Sequence, residues 1–348
     1  MTAPIELTTP RTNRWPRSAG VVAGAAVALT LLVVTFAWPA ARGEPEGLAV
    51  AVTGDSALVD GFLAGAEEGL GEIVELEQVD SRTAATAGVE DRTYIGALVL
   101  TQGAPEVVTA SAAGATSASL MAGITQQLQN TLDTQLYGAL HGAVRAAPDP
   151  AAAASQLPAE LPTVTLTDLA PYTEGDPNGA GITAAGIPLT VGALLSGLLM
   201  SFTIRGRAQR IGAVLGFGVT AGLLLTLTLT TWLEIYEAPF GLVWLALSLS
   251  LAATSGLFVG LHAALGRAGI GVAAALTLFA AMPWAAFAVP HQFLPAGLGY
   301  FGQWLIPGAT TTLARNISYF PEAATAQQWW LLGGWLLLGM LLALRRRA

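Results

Sequence analysis

Long unbroken runs of apolar residues constrain this chain more than any other feature. They fall at about 19–41, 185–204, 211–233, 240–265, 269–289 and 329–344. A hydrocarbon core about 30 Å thick is crossed by roughly 20 apolar residues rising 1.5 Å each. Each run reaches that length, the last with flanking residues from about Thr325. Six membrane-spanning helices are therefore expected. The first run is longer than the roughly 7–15-residue core of a signal peptide and lacks a small-x-small cleavage site, so it reads as a retained anchor.

Arginine sets the expected orientation, because cytoplasmic loops near span ends collect positive charge. All 15 basic residues are Arg. Arg11, Arg14 and Arg17 precede the first run; Arg205, Arg207 and Arg210 lie between the second and third; Arg267 separates the fourth and fifth; Arg345, Arg346 and Arg347 follow the sixth. Six spans put all ten on one side, with Glu6 as the single acidic residue there and the other 22 of 23 acidic residues opposite. The reading is a multi-pass protein of the cell membrane with both termini cytoplasmic: a cytoplasmic N-terminus at 1–18, a first span at 19–41, an outer domain and its tether at 42–183, and a five-span membrane domain at 184–348.

The segment 42–183 has a different composition, with 19 acidic residues against Arg42, Arg82, Arg92 and Arg145. It is long enough to fold by itself. Strand patterns occupy 47–53, 72–79, 94–100 and 106–110, with Glu75 and Glu77 facing out, and a helix is expected at 56–70. Over 117–145, Leu120, Ile124, Leu128, Leu132, Leu136, Leu140 and Val144 recur every fourth residue opposite Gln126, Gln129, Asn130 and Asp133, the mark of an amphipathic helix packing on its own domain. A Pro/Ala/Thr-rich tether with one short strand, 163–169, leads back to the membrane. The expected fold is an α-helical polytopic membrane protein with an α/β outer domain between spans one and two.

Chemistry-bearing patterns are missing. The sequence has no GxSxG, no HExxH and, lacking Lys altogether, no phosphate-binding GxxxxGK[ST]. With no Cys and three scattered His, neither a thiolate site nor a histidine-rich metal site is expected. The acidic run Glu67, Glu68, Glu72, Glu75, Glu77 and Asp80 lacks calcium-loop spacing and reads as a solvated face. No cofactor is expected, nor enzyme activity, and the acidic balance argues against nucleic acid. The apolar runs also lack Asp, Glu, Lys and Arg in their cores, which counts against an ion-coupled porter. Gly212 with Gly216, Gly218 with Gly222, and Gly256 with Gly260 have the spacing that lets helix backbones approach, within one subunit or between two.

The loop 290–328 is apolar for its place. Phe293, Leu294, Tyr300, Phe301, Trp304, Leu305 and Ile306 should not lie free in water. Two arrangements are expected with equal weight. In one, a short helical hairpin lies at the outer membrane surface with Trp304 at the headgroups and Arg315 snorkelling outward or pairing with Glu322. In the other, the aromatics plug the outer end of the bundle.

Two stretches carry a resemblance: DPNGAGITAAGIPL at 176–189 and FLPAGLGYFGQWLIPGATTTLARN at 293–316. Together with the plan of one span, a large outer domain and five spans, they resemble actinobacterial membrane proteins of the YhgE/phage-infection-protein kind, which are related to permeases of type-2 ABC exporters. The resemblance implies a permease-like subunit moving a lipid, amphiphile or envelope component outward, with a separate ATP-binding subunit and a homodimeric path. Between spans two and three, where such permeases engage their ATPase, the chain offers only 205–210. The alternative is a membrane scaffold presenting its outer domain to an envelope, phage or secretion partner.

Overall fold

The computed structural model describes residues 47–66, 74–102, 104–149 and 162–345. The expected first span, Arg11, Arg14, Arg17, Arg346, Arg347 and part of the acidic run lie outside the described residues.

The domain expected on the outer side has an α/β sheet of five strands: β1 (Leu48–Gly54), β2 (Val74–Gln78), β3 (Gly96–Leu100), β4 (Glu106–Thr109) and β5 (Thr165–Asp168). Its order is β2-β1-β3-β4-β5, parallel except where β4 runs against β3. Helix α1 (Ser56–Ala66) joins β1 to β2, α2 (Arg82–Glu90) joins β2 to β3, and α3 (Ala115–Ala146) joins β4 to β5. Alternation along the strands gives the sheet two apolar faces. Val50, Val52, Leu98, Leu100 and Val107 meet Val59 of α1 and Met121 and Ile124 of α3. Ala51, Ala97, Val99 and Val108 meet Ala85 and Val89 of α2. Glu75 and Glu77 face out as expected. Helix α2 was not expected from the sequence; Ser81 caps it by accepting a hydrogen bond from the Ala84 amide.

Only the first turns of α3 are buried, at Ser117, Met121 and Ile124. Leu132, Leu136, Leu140 and Val144 stay half-exposed, so the expected packing of the whole stripe holds for its N-terminal part alone.

Among the described residues, five helices are long and apolar enough to cross a membrane. They are α4 (Ala180–Thr203), α5 (Arg207–Thr226, prolonged by a π turn Leu227–Trp232), α6 (Phe240–Leu265), α7 (Arg267–Ala275, prolonged by a π turn Leu276–Ala281 and a 3-10 turn Met282–Trp284) and α10 (Ala326–Leu344). Two shorter helices, α8 (Leu298–Gln303) and α9 (Ile306–Tyr319), lie between the last two. Helix α6 is central and buried along most of its length. Glycine makes that possible: Gly218 and Gly222 of α5 lie against Ser248, Gly197 of α4 against Ser255 and Phe258, and Gly260 against Gly339 of α10. Gly212 and Gly216 have nothing against them. The packing of Gly260 on Gly339, and of Gly197 on Ser255, gathers Arg205, Arg207, Arg210, Arg267 and Arg345 at one end of the bundle.

The α/β domain sits on the opposite end and does not stand apart. Ile235, Tyr236, Tyr319 and Phe320 share one apolar cluster with Ala51, Ala97 and Val108, while Phe293 enters the cluster on the other sheet face. The return segment is also less free than a tether, since β5 pairs with β4 and Ala170, Thr173 and Asp176 are buried.

Candidate functional site

The region between α7 and α10 departs most from a plain helix bundle. The fifth apolar run was expected to continue to 289, but the helical path ends at Trp284, where the backbone turns away through Ala286 in a left-handed conformation (φ 57°). Helix α9 has 14 residues, about 21 Å of rise, too short to cross. It is nevertheless inside the bundle. Ile306, Ala309 and Leu313 pack with Ala246, Ala253 and Leu257 of α6 and Leu332 of α10. Ile306 and Pro307 reach Thr254 and Leu257, past the midpoint of α6. Thus α8 and α9 form a re-entrant hairpin that dips into the bundle and returns to the same end.

Sequence explains the dip. Pro307 suits the first turn of α9, where a missing N–H leaves no bond unmade. Gly299, Gly302 and Gly308 each back onto a main-chain carbonyl, of His291, Trp284 and Gly302 respectively, where a Cβ would collide. Trp304 turns its side chain out of the bundle beside α10, 59% exposed, and its carbonyl accepts from the Trp335 Nε1 at 3.0 Å. Irregular backbone at such depth is stable only when buried in protein or facing water. Here Thr312 donates to the Gln303 Oε1, and Thr310 meets Ser250 of α6 at 2.6 Å. Beside them, Thr190, Tyr236, Thr254 and Thr311 help enclose a void of about 20 Å³, room for a single water.

At the C-terminal end of α9, against the α/β domain, stands a cluster of buried polar groups. Arg315 is 2% exposed, with Tyr172, Tyr236 and Tyr319 around it; one guanidinium nitrogen reaches the Phe287 carbonyl at 3.4 Å and its Nε has no partner. Tyr319 donates to the Ile235 carbonyl at 2.6 Å and meets Tyr172 edge to face. From the outer domain, Arg92 donates to the Asn316 Oδ1 and lies over the Phe320 ring at 5.1 Å. Burial, and then the nearby Arg315, pull the Arg92 guanidinium down from 12.5 to about 9, which still leaves it charged at neutral pH. Burial lowers Arg315 too. His291, stacked edge-on with Tyr300, is lowered to about 4 by burial and then by Arg92 and Arg315, so its ring is neutral.

Asp176 completes the cluster. Its two oxygens accept from the Gly181 and Ile182 amides, each at 3.0 Å, and so close the first turn of α4. Gly179 takes φ 64° under the Tyr172 ring, a place with no room for a Cβ. Among the described residues, three non-glycine residues have positive φ, namely Arg92, Glu234 and Ala286. Arg92 and Ala286 border this cluster directly, and Glu234 lies beside Ile235. Such backbone costs about 1–3 kcal/mol each and persists where surrounding structure enforces it.

The outcome for the expected site residues is mixed. Trp304 lies on the outside of the bundle but at the inner tip of the hairpin, bonded to Trp335 midway along α10, and not at the bundle end where the headgroup contact was expected, because α8 and α9 dip inward instead of lying on a surface. Arg315 neither snorkels outward nor pairs with Glu322; it is enclosed because α9 is inserted rather than laid on a surface. Among the described residues the one ion pair is Arg82 with Glu106, at 2.7 Å on the domain's surface. Arg92, Asp176 and the three tyrosines were not singled out as site residues. The one sequence signal that could have found part of the cluster is the place of Asp176 just ahead of the second apolar run, where a helix-capping side chain belongs. A scan against models of protein families and searches of curated proteins and of solved structures find no match for this chain.

Proposed function

We propose that this chain is the permease-like membrane subunit of an exporter related to the type-2 ABC kind, moving a lipid, amphiphile or envelope component outward with a separate ATP-binding subunit. The observation that carries the reading is the re-entrant hairpin beside a hydroxyl-lined void. Helix pairs that stop inside a bundle are a recurrent means of building a gated path across it. An apolar groove of about 460 Å³ between α4 and α5, lined by Pro188, Leu189, Gly192, Phe217 and Leu224 among others, suits an acyl chain. In this reading the arginine end of the bundle faces the cytoplasm and the outer domain faces away from it. Gly212 and Gly216, bare on α5, offer a seam for a homodimer.

The exposed second half of α3, with Tyr137 54% exposed, favours the alternative of a scaffold that presents the outer domain to an envelope, phage or secretion partner.

The lack of native cysteine gives a direct test. Ser250→Cys with Thr310→Cys replaces a 2.6 Å hydroxyl contact by a pair able to form a disulfide between α6 and α9. In cells also carrying the ATP-binding subunit, outward movement of a short-chain fluorescent phosphatidylglycerol should stop on oxidation and resume on reduction. Equal movement in both states would eliminate the hairpin as gate. No movement above that of cells lacking the chain would eliminate the permease reading.

A further inference from the structure

The cluster where the outer domain meets α9 has an unbalanced charge. Arg92 arrives from the α2–β3 turn and Arg315 from α9, and each guanidinium feels the other closely enough to lower Arg92. Neither is ion-paired: among the described residues no carboxylate lies within salt-bridge distance of either. Asp176 is near enough to act on Tyr172, Tyr236 and Tyr319, but its two oxygens are held by the Gly181 and Ile182 amides. Two cations therefore face one carboxylate that is already engaged.

Buried charge is tolerated when it is paired or fully hydrogen-bonded. Arg315 has five N–H donors and one long contact, to the Phe287 carbonyl at 3.4 Å, while its Nε is buried with no acceptor. The hydrogen bond that Arg92 makes runs to the amide of Asn316, which can turn its NH2 end toward an acceptor as readily as its oxygen. The Arg92 backbone is held at φ 69°, a conformation that arginine adopts only when enforced. What this arrangement lacks is an acceptor-rich group of negative charge. Guanidinium forks match phosphate oxygens in geometry as well as charge.

We propose that the junction between the outer domain and the hairpin is an anion site, in which a phosphate-class oxyanion, free or as a lipid headgroup, sits between the guanidinium groups of Arg92 and Arg315. Asn316 supplies a further donor from its amide. The ion joins the two domains through shared charge, because one arginine belongs to the sheet and the other to the membrane part. The site stands whether or not the chain transports anything, so its test is a binding measurement.

The full chain, purified into phosphatidylcholine nanodiscs, is assayed for inorganic [32P]phosphate by equilibrium dialysis and, in discs doped with phosphatidylglycerol, for retained lipid by native mass spectrometry. One equivalent of phosphate per chain identifies a free oxyanion; one retained phosphatidylglycerol without phosphate binding identifies a headgroup. Loss of hydrogen bonds to a charged group should make Arg92→Met and Arg315→Met each bind about 10- to 100-fold more weakly. Arg82→Met, at an exposed ion pair, should bind as the parent does. Asn316→Asp keeps the proposal falsifiable if the arginine variants fold poorly: it places a carboxylate beside Arg92, so it should abolish binding while preserving or raising the melting temperature. Binding of neither ligand, or parental binding by Asn316→Asp, overturns the proposal.

Discussion

Asp176→Ala tests how the outer domain is joined to the first helix of the membrane part. Asp176 is 6% exposed and satisfies two amides, Gly181 and Ile182, at 3.0 Å each. Both bonds are charge-assisted and lie at a helix N-terminus, where the macrodipole adds to them. Ordinary caps contribute about 1 kcal/mol and hydrogen bonds to charged groups about 1.5–3. Removing both acceptors, with Ile182 only 4% exposed and unable to recruit water freely, should cost about 3 kcal/mol. Asp176→Asn keeps one acceptor and should cost about 1–2 kcal/mol. At about 2–3 °C per kcal/mol for a chain of this size, the alanine variant should melt roughly 6–9 °C below the parent and the asparagine variant roughly 2–6 °C below. The assay is tryptophan fluorescence of the detergent-solubilised full chain during heating, with the exposed Glu322→Ala as a control within about 0.5 kcal/mol of the parent. An alanine variant melting within a degree of the parent, or above the asparagine variant, would refute the capping argument.

Gly260→Leu should prevent close packing of α6 on α10, because even a Cβ there meets the Gly339 carbonyl, whereas Gly271→Leu on α7 has open space and should leave the melting temperature unchanged; size-exclusion profiles and thermal melts check both. His291 is lowered from 6.5 to about 4, so the unfolded chain takes up its proton first. Its contribution is present above pH 6.5 and fades toward pH 4, a loss of up to about 3 kcal/mol. Arg92, Arg315 and Tyr300 are the groups facing it, and His291→Gln should flatten that part of a stability–pH curve. A cysteine at Ser81 should react with an impermeant thiol reagent on intact cells and one at Ala208 only after permeabilisation, following the arginine partition; labelling at Ala208 in intact cells would reverse the proposed orientation.

The parts of this fold that were legible in the sequence are those fixed by local pattern. Apolar runs located the five helices long and apolar enough to cross a membrane to within a few residues at most ends, and alternation located β1 to β4, because a long apolar helix and a packed sheet each imprint their pattern directly on the chain. Helix α2 escaped because Arg82–Glu90 is rich in Thr, Ala and Gly and nearly neutral in hydrophobicity; Ser81 with Ala85 and Val89 was its only trace. The loop 290–328 left two arrangements open, since aromatic content says that a segment is buried but not in what. The structure inserts it into the bundle, and Arg315 goes inside with it. The cluster could not be read at all. Arg92 and Asn316 are 224 residues apart, and nothing in the neighbourhood of either announces the other.

That separation has a consequence for how the protein is made. The sheet is synthesised early, and in the proposed orientation exported early, but Ile235, Phe293 and Phe320, which cover parts of its two faces, emerge much later. At about 5–20 residues per second, the interval between Arg92 and Asn316 lasts upward of ten seconds. For that time Ala51, Ala97, Val99 and their neighbours lack these later partners. Biogenesis must therefore pass through a half-covered species exposed to proteases and to other nascent chains. Variants that weaken the junction should lower the amount of protein delivered to the membrane well before they alter what the finished molecule does.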